Sequence, residues 1–269
     1  MKAIGYTQSL PISDSLSLVD IEHPQPTASR FDLLVRVKSI SVNPVDCKIR
    51  KNVAPEGDQY KVLGWDAVGE VVAIGESVSN FKPGDMVFYA GDLNRQGSNA
   101  QYQLVDERIV GNKPKSLSDS EAAALPLTAI TAWELLFERL AIKQLHPSSK
   151  EQSNDVILIV GAAGGVGLQA MKLVRALGGH PVGTVSSQDK VEFLQQLGFE
   201  AWKREAPFKS QIAEKRLAQK QVSGQALSFD LVLDAIGGEV QQASFNALKP
   251  MGRLIVFGAV EFTPGKNRP

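Results

Sequence analysis

A glycine-rich stretch, VGAAGGVG at residues 160–167, constrains the fold of this 269-residue chain more than any other feature. It follows the apolar run VILI and precedes LQAMKLVRALGG, whose apolar residues keep helical spacing. A buried strand, a tight glycine turn and a helix in this order are typical of the first βα unit of a dinucleotide-binding sheet. Ala162, Gly164 and Gly167 stand at the three offsets where such a turn needs small residues, with alanine in the first place instead of glycine. We therefore expect backbone N–H groups of this turn to hold a pyrophosphate.

The second half of the chain repeats the same rhythm. Strands are predicted at HPVGTV, FEAW, FDLVLDAIGG and RLIVFGA, separated by helical patterns, and the last helix, EVQQASFNALKPMG, is expected to end at residues 250–252. The strands are apolar throughout rather than alternating, as in parallel sheets covered on both faces. A lone glycine motif would be explained more simply as an ordinary βα turn. Five strands in this order instead predict a doubly wound parallel (Rossmann) sheet over residues 123–269.

Residues 1–122 have a different pattern, rich in strands and turns. Strands are predicted in FDLLVRVKSISV, WDAVGEVVAIG and FKPGDMVFYAG, the last after a Pro-Gly-Asp turn. These strands indicate an all-β module with irregular loops. The next stretch, DSEAAALPLTAITAWELLFERLA, predicts a helix, a break at Pro126 and a second helix, with Ser118 or Asp119 as the first cap. The fold class is therefore α/β, with a β-rich domain followed by the Rossmann domain.

The composition excludes several kinds of partner. Lys and Arg together number 29, as do Asp and Glu, so the net charge of +0 gives no electrostatic reason to bind nucleic acid or a membrane surface. The single cysteine, Cys47, excludes an internal disulfide and a cysteine-rich zinc cluster, and it is interpreted as a buried, inert thiol. Without a signal-peptide core or an apolar span, the chain is expected to be cytoplasmic.

The residues after the second predicted strand bear on the choice of nucleotide. The sequence GTVSSQDK places Ser186, Ser187 and Lys190 at the strand end, with Asp189 one step inside the helix. An acidic residue at the strand end would bind the ribose 2′-hydroxyl of NAD, whereas hydroxyls and a cation suit the 2′-phosphate of NADPH. The hypothesis is NADPH as cofactor. The alternative is that Ser187 only caps the helix and Lys190 is a solvated surface residue.

Four motifs in fixed order extend the argument to the whole chain. The chain resembles the medium-chain dehydrogenase/reductase superfamily in these motifs, which are SVNPVDCKIR, LGWDAVGEVVAIGESVSNFKPGDMV, AAALPLTAITAWELL and GAAGGVG. The resemblance is strongest to its quinone oxidoreductase branch, which includes zinc-type alcohol dehydrogenase-like members. It implies a GroES-like catalytic domain over residues 1–122, a Rossmann domain for NADPH over residues 123–269, and an active site in the cleft between the two.

The chain departs from the zinc-dependent members of that superfamily. Three positions before Asp46, where those enzymes have a cysteine ligand, it has Asn43, and where they have Gly-His-Glu it has Gly64-Trp65-Asp66. The loop AGDLNRQGSNAQY stands in place of a four-cysteine zinc lobe, and the three histidines, His23, His146 and His180, have no ligand spacing. We therefore predict neither catalytic nor structural zinc.

Without a Lewis acid to stabilise an alkoxide, alcohol oxidation is disfavoured. Hydride transfer to a small-molecule electrophile, a quinone or an α,β-unsaturated carbonyl, is the natural alternative, with water as the final proton source. The expected function is thus an NADPH-dependent, zinc-independent reductase. The alternative is a nucleotide-binding module that has the glycine loop but no turnover.

The resemblance also assigns candidate side chains. Asn43 would donate its amide to the nicotinamide ribose or to the substrate oxygen, unless it only shapes the turn before Pro44. Lys48 would assist electrostatically and Trp65 would line the pocket; the alternatives are a surface lysine and a core aromatic. Thr131 resembles a threonine near the nicotinamide, and its alternative is a helical threonine bonded to its own backbone. Mainly backbone contacts with the cofactor are expected from Gly165, Val166, Gly258 and Ala259.

Family members continue beyond the fifth Rossmann strand, whereas this chain stops at VEFTPGKNRP. The comparison predicts that the last strand of the sheet and the C-terminal completion of the catalytic domain are lacking. It also predicts lower stability and activity than in a full-length member, because the apolar fifth strand would lie at an open edge. The resemblance implies a homodimer for full-length members, a state left open for this chain.

Overall fold

The computed structural model describes residues 1–55, 57, 59–142, 155–205, 207–223 and 227–258. The chain divides into two compact units, Met1–Leu127 and Thr128–Pro269. The domain boundary between residues 122 and 123, predicted from the sequence, stays a prediction. Among the described residues, no helix is both long enough and apolar enough to cross a membrane.

The first unit contains two antiparallel sheets. The smaller has the strand order β2-β1-β4 and the larger the order β7-β3-β5-β6-β8. Their bounds are β1 Lys2–Tyr6, β2 Val19–Glu22, β3 Asp32–Ser41, β4 Lys61–Val62, β5 Asp66–Ile74, β6 Met86–Ala90, β7 Tyr102–Asp106 and β8 Gly111–Asn112. One face of the larger sheet buries a cluster formed by Leu33, Val35, Ala67, Val71, Val87, Tyr89 and Val105. This is the β-rich module predicted from the sequence.

Helix α1 (Pro44–Asn52) follows β3 directly. It begins where Pro44 takes the first helical position, which lacks an intrahelical N–H partner in any case, and where the Asp46 carboxylate accepts a hydrogen bond from the Asn43 N–H at 2.7 Å. Cys47 is exposed on this helix, so the prediction of a buried thiol was wrong. The neighbouring Asp46 takes the buried position, which turns the next residue along the helix towards solvent.

The predicted helix, break and helix are confirmed. Helix α2 (Asp119–Ala123) is capped by Ser118, whose Oγ accepts from the Glu121 N–H at 3.3 Å, and α3 (Pro126–Trp133) begins at the expected proline. A π-helical turn, Glu134–Arg139, continues α3 and buries three apolar side chains. The polar loop that holds His146 lies outside the described residues.

The second unit is the predicted doubly wound parallel sheet, with strand order β11-β10-β9-β12-β13. All four strand pairings are parallel. The elements are β9 Val156–Val160, α4 Gly165–Ala176, β10 His180–Val185, α5 Gln188–Gln196, β11 Glu200–Lys203, α6 Phe208–Ser223, β12 Phe229–Asp234, α7 Gly238–Phe245 and β13 Leu248–Val256. Apolar side chains on both faces of β9, Leu158 and Ile159 among them, are fully buried, which explains why its sequence does not alternate.

The end of α7 differs from the expectation. The helix ends at Phe245, and residues 250–252 lie inside β13 rather than at a helix terminus. Among the described strands β13 pairs only with β12, and its register shifts between Phe229 and Leu231 of that strand. An edge strand with an irregular register tolerates proline and glycine, and for this reason the turn signal was misleading.

Candidate functional site

The glycine loop closes tightly against the neighbouring strand. Gly161, with φ +80°, ends β9. The N–H groups of Gly161 and Ala162 both donate to the Thr184 carbonyl of β10, at 2.9 and 3.1 Å, and the Gly164 N–H donates to the Gly161 carbonyl at 3.0 Å. These bonds fix the turn at the carboxyl ends of the two central strands, where ligands bind in sheets of this type.

Two of the small residues in the loop are required by packing. A Cβ at Gly167 would lie 2.4 Å from the Gly161 carbonyl oxygen, so only glycine allows α4 to approach β9 this closely. Ala162 is fully buried, and its methyl group faces Gly183 of β10, where a Cβ would come within 2.7 Å. Glycine on the neighbouring strand therefore makes room for the alanine that departs from the usual motif.

The amino end of α4 is open to a ligand. Its cap residue, Gly164, has no side chain that could accept from the first N–H groups of the helix, and both Gly164 and Gly165 are exposed. The first N–H groups of a helix have no intrahelical partner and carry the positive end of the helix dipole. Val166 is half-buried and packs against the core below the loop. The arrangement fits the pyrophosphate of a dinucleotide.

Helix α3 contacts this loop, a contact that sequence reasoning missed. A Cβ at Gly165 would lie 2.8 Å from Cγ2 of Thr128, so a side chain at this position would require Thr128 to move. Thr131, the predicted nicotinamide neighbour, is half-buried one turn further along the same helix. Its assignment to the cofactor stays a prediction.

A cavity of about 260 Å³ lies beside the glycine loop. It is lined by the loop and by residues that follow β10, β11 and β12: Gly161, Ala163, Gly164, Val185, Ser186, Lys190, Arg204 and Ile236. The structure thus brings two of the predicted ribose-site residues, Ser186 and Lys190, to the glycine loop. The Lys190 Nζ donates to the Ser186 Oγ at 3.3 Å, and both side chains are exposed.

Ser187 lies at the start of α5, and its assignment to the cofactor stays a prediction. It is the cap residue of α5 but makes no side-chain cap hydrogen bond. A hydrogen bond from the Ser187 side chain lowers the pKa of the Asp189 carboxyl, with further help from backbone N–H groups and from Lys190. The Ser187 hydroxyl therefore favours the ionised form of Asp189.

The cavity also contains a cation that was not predicted. Arg204 directly follows β11, in the stretch FEAWKRE, which resembles an ordinary charged surface in sequence.

Gly258, with φ +60°, lies just beyond β13, and the preceding Phe257 N–H donates to the Asp234 carbonyl at 2.9 Å. Ala259 lies outside the described residues.

The first unit contains a buried polar cluster formed by Asn43, Asp46 and Asp66. The Asn43 side-chain amide donates to Oδ2 of Asp66 at 2.9 Å, and the backbone N–H of Leu127 donates to Oδ1 of Asp66 at 2.8 Å. Asp66 is fully buried, while Asn43 and Asp46 are each 6% exposed. The cluster orients the Asn43 amide, because one of its two N–H groups is directed to the carboxylate.

Both carboxyl groups of this cluster are shifted by their surroundings. Burial raises the pKa of Asp66 to about 6, the hydrogen bonds from Asn43 and Leu127 oppose that rise, and the charge of Asp46 adds to it. Burial also raises the pKa of Asp46, against backbone hydrogen bonds from Asn43 and Gly64. Perturbed carboxyl groups of this kind are common at functional sites.

The other two candidates in the first unit lie in less suggestive positions. Trp65 is 1% exposed and packs with Tyr6 and Leu63, an arrangement that favours the core interpretation. Lys48 is exposed on α1, as a surface lysine would be. A catalytic role for either residue stays a prediction.

The side chains around Asn43 do not fit a zinc site. Zinc in proteins is bound by thiolate, imidazole and carboxylate groups, whereas the two positions that resemble ligand positions hold an amide, already bonded to Asp66, and a buried indole. Within the part of the chain that the structure describes, no three His, Cys, Asp or Glu side chains are grouped as a metal site requires. Independence from zinc remains a prediction.

The fold and the glycine-loop site together define a nucleotide-binding α/β protein with a β-rich companion unit. Two family models match the chain: the alcohol dehydrogenase GroES-like domain over residues 29–115 and the zinc-binding dehydrogenase over residues 165–267. A protein from Rhizobium etli CFN 42 named as a zinc-dependent alcohol dehydrogenase is 41% identical, with a TM-score of 0.81 over 95% of this chain and 72% of that one. The chain belongs to the medium-chain dehydrogenase/reductase superfamily, whose members are oxidoreductases that bind nicotinamide cofactors.

Other relatives refine the comparison. Zinc-type alcohol dehydrogenase-like proteins of Staphylococcus aureus are 43% identical over 198 residues, which are 74% of this chain and 58% of their own length. A mitochondrial NAD(P)H oxidoreductase of Danio rerio is 32% identical over 91% of this chain and 62% of its own length. The quinone oxidoreductase of Pseudomonas syringae is 25% identical, with a TM-score of 0.75 over 96% of this chain and 73% of its own. The chain therefore spans less than two thirds of the length of the curated relatives.

Proposed function

We propose that this protein is an NADPH-dependent, zinc-independent oxidoreductase that transfers hydride to quinones or α,β-unsaturated carbonyl compounds. The observation that carries the proposal is the Asn43 amide at the position that resembles a zinc-ligand position, hydrogen-bonded to the buried Asp66. A neutral donor there can stabilise developing negative charge on a substrate oxygen without a metal. The quinone oxidoreductase among the similar structures points to the same substrate class.

The residues of the glycine loop would hold the cofactor. The N–H groups at the start of α4 would bind its pyrophosphate, and Gly164 and Gly165 leave room for the backbone to approach it. Ser186 and Lys190 would meet the phosphate on the adenosine ribose, with Ser187 directed to Asp189 instead. The bound nicotinamide supplies the hydride.

In the first unit, Asn43 is the proposed oxyanion donor. One N–H of its amide is directed to Asp66, which leaves the second N–H for the substrate oxygen or for the nicotinamide ribose. Because Asp66 and Asp46 hold the residue from two sides, the donor does not reorganise when negative charge develops. Water supplies the final proton. We expect a small electrophile rather than a nucleic acid as partner, given the net charge of +0.

The test is NADPH oxidation by the purified chain with a simple quinone and a simple enone, before and after treatment with a chelator. We expect turnover that the chelator leaves unchanged. Asn43→Ala should lower kcat/KM by about 100-fold, as expected for removal of one oxyanion donor. Asn52→Ala, an exposed asparagine on the same helix, is the matched control and should have no effect.

Two results would contradict the proposal. Alcohol oxidation that disappears with the chelator would identify a zinc enzyme. Cofactor binding without turnover on either substrate would identify a nucleotide-binding module.

A further inference from the structure

Arg204 holds the most unusual position of any cation in the cavity beside the glycine loop. Its backbone N–H donates to the Val185 carbonyl at 2.7 Å, which fixes it beside the end of β10. Its side chain is half-buried and lines the cavity together with Ser186 and Lys190. Nη1 of the guanidinium is buried and has no hydrogen-bond partner among the described residues.

An unpaired donor of this kind is costly. A guanidinium stays charged and carries five N–H donors, and a buried donor without an acceptor loses its hydration uncompensated. Burial lowers the pKa of Arg204, with the carboxylate of Asp234 acting in the opposite direction. Oδ1 of Asp234 accepts from the N–H groups of Ile236 and Gly237, and its Oδ2 has no partner either, so Asp234 does not satisfy Nη1.

The chemistry that would satisfy Nη1 is a second anionic group on the nucleotide. The pyrophosphate is expected at the amino end of α4, whereas Arg204 follows β11, so the pyrophosphate alone does not account for this cation. Residues at the end of the second strand, here β10, lie by the adenosine ribose in sheets of this type. Arg204 lies beside that strand end because its N–H donates to the Val185 carbonyl. A guanidinium fork pairs with a phosphate through two parallel hydrogen bonds, which a single ammonium cannot do.

We propose that Arg204 is the specificity-determining residue that binds the 2′-phosphate of the nucleotide, with Lys190 in a secondary role. The inference rests on the proposed function for the identity of the cofactor, and it ranks the two cations by burial. The Arg204 guanidinium is partly removed from water, so its charge is weakly screened, whereas Lys190 is exposed and its contribution is small. Arg204 thus selects against nucleotides that lack the 2′-phosphate.

The role of Arg204 can be tested by calorimetric titration of the full chain with two nucleotides, adenosine 2′,5′-bisphosphate and 5′-AMP. The two differ only in the 2′-phosphate. Arg204→Met keeps an unbranched stem and removes the charge. It should weaken the bisphosphate by about 10- to 100-fold and leave 5′-AMP within about threefold. Lys190→Met, the matched loss of one charge in the same cavity, should weaken the bisphosphate by about fivefold or less. Arg204→Lys should restore only part of the loss, since it lacks the fork.

Thermal unfolding without ligand separates a binding role from a structural one. Because Nη1 has no hydrogen-bond partner among the residues that the structure describes, Arg204→Met should leave the Tm unchanged or raise it. Equal loss of bisphosphate and 5′-AMP binding, or a larger loss in Lys190→Met, would overturn the assignment of Arg204. If the unmodified chain binds both nucleotides equally, the NADPH preference and the role of Arg204 fail together. If the chain binds the bisphosphate selectively but does not turn over, only the reductase proposal fails.

Discussion

Asp66 is an aspartate whose side chain is fully buried in the first unit. Its side chain is held by the Asn43 amide and the Leu127 N–H, both of which favour the ionised form. Burial outweighs them, so the pKa of Asp66 lies at about 6 in the folded chain. Since this pKa is higher than the value of about 3.9 in the unfolded chain, the folded state binds the proton more tightly. The resulting stabilisation is complete below about pH 4 and is lost as the pH rises through about 6.

This shift predicts a pH dependence of stability that replacing Asp66 should reduce. Asp66→Asn removes the titrating group, so the free energy of unfolding of the unmodified chain minus that of the variant should fall by about 1.4 kcal/mol between pH 5 and pH 8. Urea unfolding at a series of pH values measures this difference. Asp20→Asn, the same change at an exposed carboxylate, corrects for the loss of one charge. A difference that does not change with pH would show that Asp66 is not held as described.

Individual residues also show what sequence reasoning could and could not reach. Ser186 and Lys190 were found because a short stretch of sequence places them at a strand end. Arg204 was missed because its burial depends on β10 and β12, which are distant in sequence, while its neighbours are exposed charged residues. The error at Cys47 has a related cause, since nine helical residues with few apolar positions do not define a buried face.

The glycine loop and α4 act as one element at the next scale. Gly164 and Gly167 both lie in this element, but they have different surroundings. Gly167 allows the helix to meet the strand, where a Cβ would lie 2.4 Å from a backbone oxygen. Gly164 is exposed at the helix start, and a Cβ there would come no closer than 3.2 Å to the chain. Gly167 is therefore needed for packing of the helix against the strand, and Gly164 is expected to let the ligand approach the backbone.

Alanine at each position should separate these duties. Gly167→Ala should lower the free energy of unfolding by about 1–3 kcal/mol, because the turn must open to admit the methyl group. Gly164→Ala should change stability by less than about 1 kcal/mol and should weaken NADPH binding by at least about 10-fold, since the methyl group occupies the space of the pyrophosphate. Chemical denaturation and cofactor fluorescence give the two quantities. A reversed pattern, with binding lost only in Gly167→Ala, would contradict the assignment.

The elements themselves were largely predictable. The strands of the parallel sheet were located from their apolar residues, which are continuous in β9, and α4 and α5 end near glycines with positive φ, Gly178 and Gly198. The failures have physical causes that lie outside local sequence. The proline in β13 is tolerated because of its position at an edge, and Ala162 is tolerated because Gly183 lies opposite on another strand.

For the whole molecule, members of the superfamily bind nicotinamide cofactors, and the residues at the site bear on the class of reaction. The names of several relatives refer to zinc, whereas the two positions of this chain that resemble a cysteine and a histidine ligand hold the Asn43 amide and the Trp65 indole. We place more weight on these two residues, because they belong to this chain. The central claim is therefore hydride transfer from NADPH to a carbon electrophile without a metal.

The measurement that tests this claim most directly is isotope transfer. The purified chain, treated with a chelator, is incubated with an enone and with NADPH that carries deuterium at both hydrogen positions of nicotinamide C4, and the saturated product is analysed by mass spectrometry. Our account predicts one deuterium per product molecule, at the carbon β to the carbonyl, and no dependence on added zinc. Product without deuterium, or product formed only after zinc is added, would contradict it.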